Sequence, residues 1–445
     1  MKLSDLNNEQ LKAVKATKGP VLVFAGAGSG KTRVLTYKVW YLIKNKIYSP
    51  NEILALTFTN KAASEMKERI NTSVSCDGVT VGTFHSVGAR ILRKHIQHLD
   101  ERYSNSFTIY DESDQKSILK EIIEELDLGD YKEFHPNILK SRIDNFKNSS
   151  LSVKDVQSQT NGFENEKIAE IYDLYLEKLI NNNAVDFNDL ILLPIVLFKK
   201  NKKILSSYQN LWKYILVDEF QDTNSSQFEF ISFLGSGHKN ITVVGDDDQS
   251  IYGWRGANID NILTNFKKVF PKATEIKLEK NYRSTQRILD AAWSVVSNNT
   301  NRAEKQLVAT KGKGDKISLI SASNDEQEAL AIADSIKKDI KVNKSTFQDF
   351  AILYRTNAQS RMIEQILMRE GIPYNIVGGT KFYDRKEIKN VIAYLTLICN
   401  PNDDIALKRI INFPVRGLGE KSIKLFQELA KEKKISLFKS LEFAN

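Results

Sequence analysis

The residues with the clearest chemical potential form an octapeptide, Ala25-Gly26-Ala27-Gly28-Ser29-Gly30-Lys31-Thr32. Small residues let successive backbone N–H groups close around phosphate oxygens, and a helix opening at Lys31 adds the partial positive charge of its N-terminus. In that setting Lys31 reaches the β- and γ-phosphates of ATP, and the Thr32 hydroxyl ligates Mg²⁺. Arg33 follows in the same turn and is counted among the nucleotide contacts. The strict phosphate-loop pattern begins with Gly, whereas Ala25 stands there, so the motif is the relaxed form. The alternative is a Gly-rich strand-to-helix turn without a ligand.

A phosphate loop needs a metal carboxylate on a neighbouring strand. Ile215-Leu216-Val217-Asp218-Glu219 supplies an apolar strand ending in two acids. Asp218 would hold Mg²⁺, directly or through water, and Glu219 would take a proton from the attacking water. Taken alone, such acids could equally cap the next helix.

The run from Gly245 to Gly256 places Asp246, Asp247, Asp248, Gln249, Tyr252, Trp254 and Arg255 after another strand. Three adjacent acids also suggest a Ca²⁺ loop, but the Glu that closes an EF-hand loop is missing at its spacing. Gln249 could sense a γ-phosphate from a strand end. Tyr252 and Trp254 beside Arg255 suit base stacking on a single strand, with ordinary packing as the alternative. Thr57 to Lys61 offers Thr59 and Asn60 to phosphate oxygens and Phe58 for stacking; Thr83-Phe84-His85-Ser86 is similar. A lone His such as His85 is more often a hydrogen-bonded structural residue. Arg283, in Asn281-Tyr282-Arg283-Ser284-Thr285, could reach a γ-phosphate as an arginine finger does, with a helix cap as the alternative.

The elements that would position these groups follow a strand–helix rhythm. Val21 to Phe24, Ile53 to Leu56 and Val79 to Val81 read as strands, each followed by a helical stretch, which argues for βαβ units and a parallel sheet. From Asp111 to Ala184 the pattern turns polar and helical and reads as an insertion. Strand patterns return at Tyr214 to Val217, Ile241 to Val244 and Thr274 to Leu278. A second αβ region is predicted over 281–380, with strands at Ile317 to Ile320 and Phe350 to Tyr354, and a helical end over 381–445.

Bulk properties bound the answer loosely. At 445 residues the prior is about three domains. Hydrophobic residues at 41% and charged residues at 27% exclude a wholly disordered chain. A net charge of +9 permits a polyanion partner without demanding one. Two cysteines, Cys76 and Cys399, cannot build a disulfide framework or a four-ligand zinc site, which points to a reduced, cytoplasmic setting. The start is polar with no signal-peptide core, and the strongest apolar run, Leu190 to Phe198, is too short to span a bilayer, so no membrane partner is expected.

Taken together, these segments resemble the UvrD/Rep family of superfamily 1 DNA helicases. The resemblance rests on Leu6 to Gln10, the phosphate loop, Thr57 to Ala63, Thr83 to Ser86, Val185 to Leu190 and Val217 to Asn224. It continues through Gly245 to Ala257, Leu278 to Thr285 and Tyr354 to Ser360. It implies an α/β fold of two RecA-like P-loop domains with ATP in the cleft between them, each domain carrying a helical insertion. On that pattern 1–110 with 185–280 is the first motor domain and 111–184 its insertion. Residues 281–380 open the second motor domain, and 381–445 begin its insertion.

The resemblance also implies roles. Gln10 recognises adenine and Tyr282 stacks on it. Gln249 and Arg283 contact the γ-phosphate. Phe58, Tyr252 and Trp254 stack on bases, and Arg416-Gly417-Leu418-Gly419 is similar to a hairpin that binds duplex phosphates. The implied activity is 3′→5′ ATP-driven translocation on single-stranded DNA and unwinding at single-strand/duplex junctions, in repair or replication; protein partners stay unassigned. The family's Thr-x-His…Lys-Gly-Leu-Glu motif and a later Arg are not found before Asn445. This chain is therefore expected to be an N-terminal portion with weak ATP binding and poor turnover. The alternatives are a nucleotide-dependent DNA-binding fragment, or the helicase part of an AddA/RecB-like helicase–nuclease.

Overall fold

The computed structural model describes residues 1–72, 77–158, 162–377, 386–433 and 435–443. Cys76 and the expected boundary at 380/381 lie outside the described residues. The strands, in chain order, are β1 (Val21–Ala25), β2 (Ile53–Thr57), β3 (Thr80–Thr83), β4 (Thr108–Tyr110) and β5 (Ala184–Asp186). They continue with β6 (Tyr214–Val217), β7 (Ile241–Gly245), β8 (Thr274–Leu278), β9 (Lys280–Asn281) and β10 (Val308–Ala309).

Six of them form one parallel sheet in the order β3-β2-β6-β7-β1-β8. The register aligns Phe24 of β1 with Gly245 of β7, and Leu56 of β2 with Val217 of β6. Parallel strands buried on both faces read as unbroken apolar runs, as these do. Alternation then sorts their side chains. Leu22, Phe24, Leu54, Leu56, Ile215 and Val217 enter one core layer. Val21, Val23, Ala25, Ile53, Ala55 and Leu216 enter the layer on the other face.

Side-chain caps set the start of several helices. α1 (Asn8–Lys15) opens on Asn7, whose Oδ1 accepts from the Gln10 N–H at 2.8 Å. α2 (Lys31–Lys44) follows the phosphate loop. Thr59 caps α3 (Asn60–Asn71) and Thr83 caps α4 (Phe84–His95), each through its hydroxyl. Loops at the C-terminal ends of parallel strands thus collect on one edge of the sheet, where ligands of such folds bind.

Between β4 and β5 lie α5 (Glu112–Glu125), α6 (Pro136–Asn148), α7 (Val153–Ser158) and α8 (Phe163–Asn181), around a core that includes Ile118, Ile122, Leu139 and Tyr175. α9 (Asp189–Lys200) then leads back to the large sheet.

Two compact units result: 1–313 with 390–445, and 314–389. Residues 390–445, part of the 381–445 stretch expected to begin a second insertion, pack on the first one. Tyr110 Oη donates to Asp403 Oδ1 at 2.7 Å, the Asn400 amide donates to the Asn182 and Asn183 carbonyls, and Ile405 enters the α5–α8 core. In the second unit, helices Asp325–Asn343 and Ser360–Arg369 pack through Ala329, Ala333, Ile336, Ile366 and Leu367.

The strands predicted at 317–320 and 350–354 are not formed. Both segments lack helix or ladder among the described residues, and Leu319 and Leu353 are 97% and 93% exposed. An apolar run becomes a strand only when a neighbour takes up its backbone hydrogen bonds, and neither segment has one.

Candidate active site and nucleic-acid interface

The phosphate loop leaves β1 at Ala25 and crosses Gly26 to Gly30 before α2 begins. Gly28 and Gly30 have φ of +67° and +92°, values a side chain would strain. The loop is also tightly enclosed: a Cβ on Gly28 would lie 2.6 Å from Arg283 Cβ, and one on Gly30 would lie 2.8 Å from Gln10 Nε2. Ser29 Oγ donates to the Gly26 carbonyl at 2.7 Å and closes the loop on itself. Ala25 is the buried last residue of β1, so the relaxed motif places a core side chain where the strict one has Gly. Ala27 accepts from Asn281 Nδ2 at 2.5 Å.

Gln10 is buried and donates from Nε2 to the Ser29 carbonyl at 2.9 Å. Nearby, Asn7 Nδ2 donates to Tyr282 Oη at 2.9 Å, and the Tyr282 N–H donates to the Gly28 carbonyl. Gln10 and Tyr282 therefore both bind the phosphate loop directly. Arg283 is exposed beside Gly28, and Arg33 is exposed at the start of α2 with its guanidinium 5.6 Å from the Tyr37 ring.

On the facing strand ends, Lys31 Nζ lies 2.5 Å from Glu219 Oε2. Glu219 has φ +48°, a left-handed conformation for a non-Gly residue that turns its carboxylate toward the loop. Asp218 is buried beneath it, where its Oδ1 accepts the Glu219 N–H at 3.0 Å, and the Thr32 hydroxyl lies near its carboxyl. Burial pushes the Asp218 carboxyl up to about 7; the Glu219 charge adds to the rise, while Lys31 and Thr32 oppose it. A hydroxyl and a buried carboxylate are hard oxygen donors of the kind Mg²⁺ takes. Gln249 donates its amide to Asp246 Oδ2, so its present partner is within its own loop.

Aromatic residues line the same edge. Phe58 and Tyr252 stack at 5.3 Å with 20° between their planes. Trp254, 76% exposed, lies 6.4 Å from Tyr252, and the Arg255 guanidinium sits 4.5 Å above the Trp254 ring. His85 stacks on Phe187 at 3.9 Å. Burial lowers the His85 imidazole to about 4, so it is a neutral stacking group. The hydroxyls of Thr59 and Thr83, read as phosphate contacts, accept from helix N–H groups; Asn60 is exposed as the first residue of α3.

Phe187 was not singled out from the sequence. It is exposed between Asp186 and Asn188, and buried ion pairs fix its flanks: Lys147 Nζ lies 2.5 Å from Asp186 and 2.7 Å from Asp189. A Phe directly after a strand ending in Asp186, with Asp189 two residues on, was the available signal. Gln221 was also missed; its Nε2 donates to Glu219 Oε2 at 3.0 Å. At the far end of the chain, Gly417 has φ +75° and Arg416 donates to the Ile410 carbonyl.

A parallel sheet whose strand ends carry a glycine loop, a loop lysine and a buried Asp–Glu pair defines a P-loop protein of the RecA-like class. The chain belongs to the UvrD/REP helicase family. The model of the UvrD/REP helicase N-terminal domain matches residues 6–271, and that of the UvrD-like helicase C-terminal domain matches 276–443. Relatives called "ATP-dependent DNA helicase PcrA" from Staphylococcus aureus (strain Mu50) and Staphylococcus epidermidis (strain ATCC 12228) are each 46% identical over 441 residues, 99% of this chain. The chain spans 60% of the length of these relatives. The matches run through the UvrD-like helicase C-terminal-domain model to residue 443. Among the described residues no helix is long and apolar enough to cross a membrane.

Proposed function

We propose that the chain is the ATP-hydrolysing motor of a cytoplasmic DNA helicase that moves 3′→5′ along single-stranded DNA and opens single-strand/duplex junctions. The observation that carries the reading is the shared sheet edge. Lys31, Asp218 and Glu219 converge at strand ends that also carry Phe58 and, through the Asp246–Gln249 loop, Tyr252 and Trp254. Nucleotide chemistry and base stacking are thus a few residues apart on rigid elements.

In this mechanism the backbone of Gly26 to Gly30 cradles the phosphates, and Lys31 leaves Glu219 to meet the β- and γ-oxygens. Glu219, freed, orients and deprotonates the attacking water. Thr32 and Asp218 would hold Mg²⁺, which supplies charge neutralisation at the phosphates when bound. Gln249 and Arg283 take the γ-phosphate, while Gln10 and Tyr282 take the adenine. Phe58, Tyr252, Trp254 and the His85–Phe187 pair offer flat faces to successive bases, with Arg255 beside them and Thr59, Asn60 and Thr83 near the strand backbone. We divide the chain as a first motor domain (1–110 and 185–280) with insertion 111–184, followed by the second motor region.

The test is ATP turnover with and without single-stranded DNA, together with unwinding of a 3′-tailed duplex. DNA-stimulated turnover with unwinding that is lost in Glu219→Gln supports the reading. Nucleotide-dependent DNA binding without turnover would instead mark a binding protein, and preference for a 5′ tail would reverse the direction.

A further inference from the structure

Asp246, Asp247 and Asp248 bring carboxylate oxygens within 4.8 Å of one another. Three carboxylates this close repel unless a cation sits among them. The cation belongs to the chain. Lys305 Nζ lies 3.0 Å from Asp246 and 2.8 Å from Asp248, and it also pairs with Asp247. The Arg302 guanidinium forks onto Asp248 at 2.9 and 2.8 Å, and the Ala303 N–H donates to Asp247 Oδ2 at 2.7 Å. An ammonium group therefore fills the position that a Ca²⁺ loop would give to metal.

Two residues on, Leu307 presses on the phosphate loop, so closely that a Cβ on Gly26 would lie 2.3 Å from Leu307 Cδ2. β10 then pairs with β9, which leads into Tyr282 and Arg283. The segment from Arg302 to Leu307 is thus a strap fastened to the acid loop at one end and to the phosphate loop at the other.

Asp246 extends the strap's reach. Its Oδ2 accepts the Gln249 amide, and its N–H donates to Gln221 Oε1 at 2.9 Å. Gln221 Nε2 in turn donates to Glu219 Oε2 at 3.0 Å. An unbroken series of polar contacts runs from Lys305 to Glu219.

We propose that Lys305 is a positioning residue for nucleotide hydrolysis: by gathering Asp246, Asp247 and Asp248 it fixes the loop that sets Gln249 and, through Gln221, the Glu219 carboxylate. Leu307 ties that arrangement to the phosphate loop. The inference rests on the hydrolytic reading above. Lys305 touches no reacting atom; it acts by holding groups in register, where misplacement by about an ångström can cost up to about a hundredfold in rate.

The experiment compares the 445-residue chain with Lys305→Met and with Lys305→Met/Asp247→Asn, in which one uncompensated acid is neutralised. Turnover of ATP with single-stranded DNA, melting temperature and hydrogen exchange over Gly245–Ser250 are measured on each. The single variant is expected to melt lower. The double variant is expected to recover most of that loss while its kcat stays roughly tenfold or more below the parent, with KM for ATP within about twofold. Its 245–250 amides should exchange roughly tenfold faster, which is about 1.4 kcal/mol of lost protection. A double variant with parental kcat and parental exchange overturns the inference. A parent chain that turns over no ATP overturns the hydrolytic reading instead, and the exchange comparison still decides whether Lys305 fixes the loop.

Discussion

Lys31 and Glu219 hold each other at 2.5 Å across the end of β7, which lies between the strands they follow. The ammonium that would meet phosphate is bound to the carboxylate that would activate water. Neither can take up its task while the pair persists, so nucleotide binding has to exchange one partner of Lys31 for another. In Glu219→Gln the amide holds Lys31 less strongly. Nucleotide binding is then expected to stay at parental strength or tighten by a few-fold, while turnover falls by about 10²- to 10⁴-fold, the usual span for losing a general base. Titration with a fluorescent ATP analogue and steady-state ATPase rates check both halves. Turnover near the parental rate would remove Glu219 from the mechanism.

How far the sequence foretells this site depends on the kind of signal. Val21 to Phe24, Ile53 to Leu56, Tyr214 to Val217 and Ile241 to Val244 announce themselves, because a parallel strand buried on both faces is an apolar run and its C-terminal end is where a ligand sits. The loop, Lys31, Asp218 and Glu219 follow from those ends. Lys305 does not: no local pattern links it to acids that lie 57 to 59 positions earlier, and only the fold brings them together. The runs at 317–320 and 350–354 show the converse, since they look like strands yet have no neighbouring ladder. Thr59 and Thr83 look like phosphate contacts in sequence and act as helix caps in the fold.

Trp254 is the most exposed aromatic of the Phe58–Tyr252–Trp254 series and carries the Arg255 guanidinium on its face. A stacked base is worth about 1–3 kcal/mol, so Trp254→Ala should weaken single-stranded DNA binding by roughly 5- to 150-fold. Because Trp254 neutralises no phosphate, the slope of log Kd against log salt should not change. Fluorescence anisotropy with a labelled oligonucleotide at several salt concentrations measures both quantities. A reduced slope would show that the loss reached the Arg255 charge instead.

His85 gives a pH dependence with a definite sign. In the unfolded chain its imidazole titrates near 6.5, and burial against Phe187 lowers it to about 4 in the folded protein. Between those values the unfolded state binds the extra proton. The stability that His85 contributes is therefore complete above about pH 6.5 and is lost progressively as pH falls toward 4. On moving from about pH 7.5 to 5, the parent should lose about 1–2 kcal/mol that His85→Gln does not lose. Urea denaturation of both proteins at the two pH values reads the difference. Equal losses would mean that the imidazole is not held neutral.

Gly88 tests the packing that brings His85 and Phe187 together. It lies on the inner face of α4, and a Cβ there would meet the Leu190 carbonyl oxygen of α9 at 1.8 Å and its carbon at 2.9 Å. These are backbone atoms, which cannot swing aside as a side chain can. Leu190 also follows the Asp186–Lys147–Asp189 ion pairs, so α9 is held from its other side. Gly88→Ala must therefore push the two helices apart, at a cost of about 2–3 kcal/mol. Gly129 is the control, because a Cβ there meets nothing within 4 Å, and Gly129→Ala should change stability by less than about 1 kcal/mol. Since α4 carries His85 and α9 begins just after Phe187, the displacement should also loosen the stacked pair. Gly88→Ala is then expected to lower single-stranded DNA affinity even at temperatures where it remains folded. Thermal melts of both variants, with anisotropy measured well below the lower melting temperature, separate the stability effect from the binding effect.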